Sequence, residues 1–324
     1  MTRNLRMQAS AVLALGVLAT APGTAAAETY PSKPIRIIVP FGPGGSGDIT
    51  TRAFAQYLEA QVKQPVVVEN KPGANGIIGT EAVKVAPPDG YTLQLTSNTT
   101  HAANVSLYKK LPYDPLKDFE HIGLFGTFGS VAVVVPTSGI ASIPDLVAHA
   151  KANPGTVFFG HYNSASQMSA ELFKSRTGIA MTGVSYKTIA NAVTDLLGGQ
   201  IQVMFMEYVS GSSYIEGGKL APLGVTGAQR HKAWPDVPAI AEFYPGYEMI
   251  AYLGLAAPAR TPSEILDQLH GWLIKALTDP DVRPQFDRLG MTTRPYARED
   301  YKKFVAQEID RWARVVKAAN VEPQ

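Results

Sequence analysis

The residues with the clearest chemical potential lie in a glycine-rich segment, residues 40–48, which reads Pro-Phe-Gly-Pro-Gly-Gly-Ser-Gly-Asp. It separates a short apolar run from a segment with helical periodicity. Glycines let backbone N–H groups come close to a ligand, and the N-terminus of a helix favours negative charge. The segment therefore predicts a site for a small anion, and a carboxylate would suit it.

Two other interpretations of this segment stay open on the motif alone. Gly42, Gly44 and Gly47 satisfy the G-x-G-x-x-G pattern of dinucleotide-binding proteins, and Glu69 follows at the spacing that such proteins use for a ribose contact. The segment could also be a tight turn, with Asp48 capping the helix that follows.

Motifs for catalysis and metal binding are missing elsewhere in the sequence. The histidines show no H-x-x-x-H or H-E-x-x-H spacing, and there is no G-x-S-x-G or P-loop pattern. The chain has no cysteine, which excludes disulfides, zinc thiolates and a thiol nucleophile. We therefore expect no catalytic residue, no metal site and no cofactor.

Two further polar segments follow predicted strands, at residues 96–100 and 160–166. Ligands of open α/β sheets bind outside the carboxyl ends of the strands. If the two sheets face each other, these polar loops lie across a cleft, with residues 96–100 in the first block and residues 160–166 in the second, although generic loop polarity would explain any single residue. Four aromatic residues are candidates for the cleft walls and make an aromatic acid plausible: Phe41, Tyr162, Tyr186 and Tyr208.

Two α/β blocks would position these segments. The first alternates strands and helices in the order βαβαβ, with strands at 35–40, 66–68 and 92–95 and helices from Asp48 and over 77–85. The second has strands at 131–135, 157–159, 203–205 and 223–225, a helix capped by Ser142 and a helix ending at Gly178. A strand over 251–258, a helix with a Thr261–Glu264 capping box and a last helix over 299–319 complete the pattern.

The N-terminus indicates export. Arg3 and Arg6 precede an apolar stretch over 9–21 and the small residues 24–27, which is the order of a secretory signal peptide cleaved after Ala27. The apolar stretch is shorter than a membrane span, which makes an N-terminal anchor the weaker interpretation. The remaining 297 residues carry 27 basic and 27 acidic residues, so no charge field favours nucleic acid or a membrane surface.

The chain resembles the substrate-binding receptors of tripartite tricarboxylate transporters, also called Bug receptors. The resemblance runs in order along nearly all of the chain after the signal peptide. It rests on residues 30–36 (Tyr-Pro-Ser-Lys-Pro-Ile-Arg), 40–48 with Arg52, 68–74 (Val-Glu-Asn-Lys-Pro-Gly-Ala), 88–92 (Pro-Asp-Gly-Tyr-Thr), 195–200 (Asp-Leu-Leu-Gly-Gly-Gln) and 234–238 (Trp-Pro-Asp-Val-Pro).

The resemblance implies a two-lobed α/β fold of the periplasmic binding protein class, type II-like, with a mainly parallel sheet flanked by helices in each lobe. Domain 1 would comprise residues 28–125 and 250–324, and domain 2 residues 126–249. It implies a monomeric periplasmic receptor that captures a dicarboxylate, tricarboxylate or aromatic acid and delivers it to an integral-membrane permease. The alternatives are an exported nicotinamide-dependent oxidoreductase and a ligand-sensing receptor for a signalling system.

Carried over by position, the resemblance implies that backbone amides of the cleft loops hold the carboxylate without a fixed cation. The implied ligand-binding residues are Phe41, Gly42, Gly45, Ser46, Gly47, Asp48, Thr96, Ser97, Asn98, His161, Asn163, Ser164, Ala165, Ser166, Tyr186, Thr188 and Glu207. Three positions depart from the family pattern. Gln167 or a neighbour replaces a usual histidine, and residues 185–188 lack the usual proline and glycine. Glu207 stands where aspartate is commoner, and would either pair with a cationic group of the solute or cap the following turn.

Overall fold

The computed structural model describes residues 29–288 and 290–324, and its strands form two sheets that share one strand. The predicted signal peptide, residues 1–27, lies outside the described residues. The strands are β1 (Ile35–Val39), β2 (Val66–Asn70), β3 (Thr92–Ser97), β4 (Phe119–Val134), β5 (Phe158–His161), β6 (Thr182–Ser185), β7 (Val203–Glu207), β8 (Ala221–Val225) and β9 (Ile250–Pro258).

Helices follow most strands. They are α1 (Ser46–Val62), α2 (Ile77–Lys84), α3 (Asn104–Leu107), α4 (Ile143–Ala152), α5 (Ser164–Thr177), α6 (Ile189–Leu197), α7 (Tyr208–Glu216), α8 (Ser263–Thr278), α9 (Arg283–Arg288) and α10 (Arg298–Ala318). A π-helical segment, Thr99–Ala103, precedes α3, and 3-10 turns lie at Ala74–Gly76, Pro136–Ser138 and Ile240–Glu242. The α/β alternation predicted from the sequence is confirmed.

Each sheet contains one strand that runs against the others. In the first sheet β2, β1 and β3 are parallel, β9 is antiparallel to β3, and β4 is antiparallel to β9. In the second sheet β5 is parallel to β6 and β7, while β4 is antiparallel to β7 and β8. The carboxyl ends of the parallel strands are therefore the natural places for ligand-binding loops.

Strand β4 belongs to both sheets. Its residues 119–129 pair with β9, and its residues 130–134 pair with β7 and β8. Periodicity predicted only its second half, because the first half contains the glycines Gly123, Gly126 and Gly129. Those glycines are required by close packing: a Cβ at Gly126, for example, would lie 2.6 Å from Met291 Cγ. The division into two domains near Gly126 and Met249 stays a prediction.

Helix boundaries confirm two of the predicted helix ends and correct two. Ser142 accepts a hydrogen bond from Asp145 N–H at the start of α4, and Gly178 ends α5 in the left-handed conformation. Helix α1 begins at Ser46, not at Asp48. The predicted Thr261–Glu264 capping box is wrong, because Pro262 is the N-cap of α8 and the Thr261 hydroxyl donates instead to Pro258 O at 2.8 Å.

A continuous hydrophobic core joins the sheets to the helices. Alternate residues of β1 are fully buried against Phe54 and Leu58 of α1, and the Phe54 ring meets Phe125 of β4 edge-on at 5.3 Å. Within the described part of the chain, no helix has both the length and the apolar character to cross a membrane. The same residues contain no cluster of histidine, aspartate and glutamate suited to a metal ion.

Candidate ligand-binding site

A cavity of about 610 Å³ lies at the carboxyl ends of strands from both sheets. Most of its lining residues end or follow β1, β2, β3, β5, β6 and β7. The volume falls in the range of about 300–1,000 Å³ that is typical of small-molecule sites. The predicted convergence of separate polar loops on one cleft is therefore present in the structure.

The N-terminus of α1 forms one wall of this cavity and has no cap of its own. Gly45 is the N-cap residue and supplies no side chain, so no cap hydrogen bond satisfies the first-turn N–H groups. Ser46 and Gly47, which begin the helix, line the cavity and are buried. This wall is consequently a set of backbone donors at the positive end of a helix dipole.

Asp48 supports that wall from behind and does not line the cavity. Its carboxylate accepts hydrogen bonds from Gly44 N–H at 3.0 Å, from Arg52 Nε at 2.9 Å and from Asn70 Nδ2 at 3.0 Å. Burial by itself raises the pKa of Asp48, but these hydrogen bonds outweigh it and leave the pKa below its usual value. An ionised Asp48 thus holds the glycine loop in shape while Arg52 neutralises it.

The N-terminus of α5 differs from that of α1, because side chains of its own first turn cap it. Asn163 accepts from Ser166 N–H at 2.9 Å, and the Ser166 hydroxyl accepts from Asn163 N–H at 3.3 Å. The Ser164 hydroxyl accepts from Asn75 Nδ2 at 2.7 Å. The hydroxyls that the sequence analysis assigned to the solute therefore serve this loop and its neighbour.

Glu207 ends β7 and lines the cavity, although only 2% of the residue is exposed. Its carboxylate accepts hydrogen bonds from the Tyr162 hydroxyl and from Asn163 Nδ2, the latter at 2.6 Å. Burial raises the pKa of Glu207, and the hydrogen bonds only partly oppose that effect. Glu207 is the N-cap residue of α7, but its side chain makes no capping hydrogen bond to the backbone of that helix.

Residues around the ends of β5 and β6 complete the wall. Burial lowers the pKa of His161 to about 4, so its ring is neutral near neutral pH. The Tyr186 hydroxyl donates to Asp195 at 2.7 Å, and Thr188 caps α6 through Asn191 N–H. Lys187 is exposed and also lines the cavity, which places a cation at its rim that the sequence analysis did not anticipate.

Most residues predicted for the site line this cavity: Phe41, Gly42, Gly45, Ser46, Gly47, Ser97, Asn98, His161, Asn163, Tyr186, Thr188 and Glu207. Five do not: Asp48, Thr96, Ser164, Ala165 and Ser166. Thr96 is fully buried, with its hydroxyl 2.6 Å from that of Tyr301, and Ala165 is buried within the first turn of α5. Tyr208 also lies outside the lining, because its ring packs against His231 and Trp234.

Several other lining residues were not predicted from the sequence, and two groups of them stand out. The first is residues 72–76, which follow the carboxyl end of β2 and include Asn75 in the left-handed conformation. The strand-end rule already applied to the first sheet would have found them. The second is Val321, Glu322 and Gln324, which reach the cavity because backbone hydrogen bonds join Gln324 to Leu107 and Lys109. No local sequence signal marks that pairing.

Two α/β sheets with one shared cavity at their strand ends define the solute-binding proteins of the periplasmic binding class. Residues 50–321 match the family model described as "Tripartite tricarboxylate transporter family receptor". The chain belongs to this receptor family.

Relatives support the assignment over nearly the full length. The chain is 36% identical to protein BugT of Bordetella pertussis over 310 residues, which cover 94% of this chain and 95% of BugT. Its fold is similar to that of R. palustris Rpa4515 with adipate, with a TM-score of 0.89, 30% identity and coverage of 91% and 100% of the two chains. It is also similar to MatC from Rhodopseudomonas palustris with bound malate, with a TM-score of 0.84, 29% identity and coverage of 89% and 100%.

Proposed function

We propose that this protein is a periplasmic receptor that captures a small carboxylate in the cavity at the strand ends. It then delivers the solute to a membrane permease of the tripartite tricarboxylate type. The receptor itself performs no chemistry on the solute. Its task is to bind, to retain and to release.

The uncapped N-terminus of α1 is the observation that carries this proposal. Buried helix ends normally have their N–H groups satisfied by a side chain or a ligand. Here the buried residues Ser46 and Gly47 face the cavity behind an N-cap glycine that has no side chain. A carboxylate oxygen is the partner that such donors and the helix dipole favour most.

Two further features support an anion at this position. Asp48 is already neutralised by Arg52, so it does not repel an anion bound at the helix end. Related receptors solved with adipate and with malate bind carboxylates in the same fold. Export through the predicted signal peptide would place the receptor where its family operates, and the permease follows from the family name alone.

Calorimetric titration against small carboxylates tests the proposal. We expect saturable binding of at least one carboxylate and none of its methyl ester, because the ester cannot offer an anionic oxygen to the helix end. Bound solute should also raise the melting temperature, because the stabilisation of the folded protein grows with the logarithm of the solute concentration above Kd. Turnover of a substrate, or binding of a nicotinamide cofactor in a fluorescence titration, would contradict a receptor without catalytic activity.

The transport step needs its own experiment. Cells that lack this receptor and retain the permease should stop taking up the solute, and restored expression should restore uptake. Uptake that is unchanged while a sensory response is lost would identify a signalling receptor instead.

A further inference from the structure

Glu207 is a buried carboxylate that accepts hydrogen bonds from neutral side chains. Among the described residues, no lysine, arginine or histidine forms an ion pair with it, and its side-chain partners Tyr162 and Asn163 are neutral. A buried ionised carboxylate is costly unless a positive charge compensates it. Since Glu207 lines the cavity, the missing charge can come from the solute.

The carboxylate of Glu207 is also held rigidly in place. The Asn163 amide is oriented from its other end, because Asn163 Oδ1 accepts from Ser166 N–H as the cap of α5. The Tyr162 backbone is fixed by a hydrogen bond of 3.1 Å to the Ser166 hydroxyl. A group positioned by its neighbours in this way is pre-organised for a ligand, since binding need not order it.

The rest of the lining offers no cation that would neutralise Glu207. His161 is neutral near neutral pH and Lys187 is an exposed side chain at the rim. A solute with a second carboxylate near Glu207 would bring two negative charges together at a buried position, which is unfavourable. A protonated nitrogen at the same place would form a charge-assisted hydrogen bond.

We infer that the solute is a carboxylate that also carries a protonated nitrogen, with its carboxylate at the N-terminus of α1 and its ammonium or related group at Glu207. This rests on the proposed function and narrows it to a solute class. In this receptor Glu207 is the residue that separates amino-carboxylates from dicarboxylates.

Matched pairs of probes test this inference on the unaltered protein. Each pair differs only in the group that would meet Glu207: γ-aminobutyrate against glutarate, δ-aminovalerate against adipate, and α-amino acids against the same acids without the amino group. We expect the nitrogen-bearing member of the best pair to bind about tenfold to a hundredfold more tightly, as a hydrogen bond to a charged group implies.

The Glu207→Gln variant tests whether Glu207 causes the preference for the nitrogen-bearing solute. Glutamine keeps the size of the side chain and removes the charge, so affinity for the nitrogen-bearing member should fall about tenfold or more while affinity for the dicarboxylate holds or rises. Glu216→Gln is the matched control, because Glu216 is exposed at the other end of α7 and away from the cavity. The control should leave both affinities unchanged.

Each outcome has one meaning. Dicarboxylates that bind as well as their amino partners would overturn the inference and leave the proposed receptor function intact. If the Glu207→Gln variant still prefers the nitrogen-bearing solute, Glu207 is not the residue that determines this preference. If the variant does not fold, the matched pairs on the unaltered protein still decide the solute class. If no carboxylate of either kind binds at millimolar concentration, the proposed function itself is overturned.

Discussion

Asn75 Nδ2 donates a hydrogen bond of 2.7 Å to Ser164 Oγ, which joins the segment after β2 to the first residue of α5. The same amide also donates to Asn104 Oδ1 at 3.1 Å, and Asn75 adopts a left-handed backbone conformation. Asparagine tolerates this conformation better than most residues. One side chain therefore connects the two sheets beside the cavity.

Ser164→Ala should weaken solute binding about fivefold, mainly through faster release. The substitution removes the hydroxyl that accepts a hydrogen bond from the Asn75 amide, which should cost about 1 kcal/mol of binding free energy. Stopped-flow dissociation and calorimetry measure the effect. Ser169→Ala on the same helix is the control, because its hydroxyl bonds only to Ala165 O of that helix. An equal loss of affinity in both variants would contradict a specific role for the Asn75–Ser164 contact.

Gly45→Val should abolish solute binding and spare the fold. Gly45 has an ordinary φ of −81°, and a Cβ there would meet no protein atom closer than 3.8 Å. The added side chain would instead fill the space above the α1 N–H groups, so affinity should fall more than about a hundredfold. Calorimetry and thermal melting check this, with Gly271→Val on α8 as control. Retained affinity would show that the solute does not approach this helix end.

Asp48→Asn should destabilise the protein at neutral pH by about 2 kcal/mol, since hydrogen bonds to an ionised group are lost. The folded-state pKa of Asp48 lies below its unfolded value. The contribution is therefore present above about pH 4 and is lost as the pH falls through the folded pKa. Urea unfolding at neutral and acidic pH should show a difference between wild type and variant that shrinks in acid.

The exposed Asp310 provides the control for that comparison. Asp310→Asn should change the free energy of unfolding little at either pH. A destabilisation by Asp48→Asn that is equally large in acid would mean that charge is not its cause.

His121→Phe should make the free energy of unfolding depend less steeply on pH in the acidic range. His121 is 3% exposed, and burial, with a smaller effect of Lys302, lowers its pKa to about 4. The unfolded chain binds a proton below about pH 6.5 and the folded chain only below about pH 4, so the free energy of unfolding falls across that window. In the variant, the decrease in the free energy of unfolding across this window should be smaller by roughly 3 kcal/mol.

Chemical unfolding across that pH window measures the slope. An unchanged slope in His121→Phe would show that His121 is not the titrating group.

Much of the fold could be predicted from local pattern. Buried strands and amphipathic helices repeat at characteristic periods, and the glycine segment before α1 marked the cavity wall correctly. Predictions from the sequence failed where tertiary packing overrides the local sequence pattern. The glycines of β4 serve close contacts, and Thr261 turns its hydroxyl to Pro258 instead of capping α8.

The loops that form the candidate site could be predicted from the sequence. The hydrogen bonds that their side chains make were harder to predict. Most of the proposed residues line the cavity because they follow strand ends, and residues 72–76 would have followed from the same rule. Ser164 and Ser166 were expected to face the solute for their hydroxyls alone. Their hydrogen-bond partners, Asn75 and Asn163, decide otherwise.

The amino-acid sequence by itself determined the alternation of strands and helices, the family and the loops that meet at the strand ends, because these depend on periodicity and on short motifs. Only the tertiary structure decided that Glu207 is buried with Tyr162 and Asn163 and that no described lysine, arginine or histidine pairs with it. Its partners lie more than 40 positions away in the chain. The physical reason is that charge compensation and burial depend on which strands are neighbours, and strand order is a property of the whole fold.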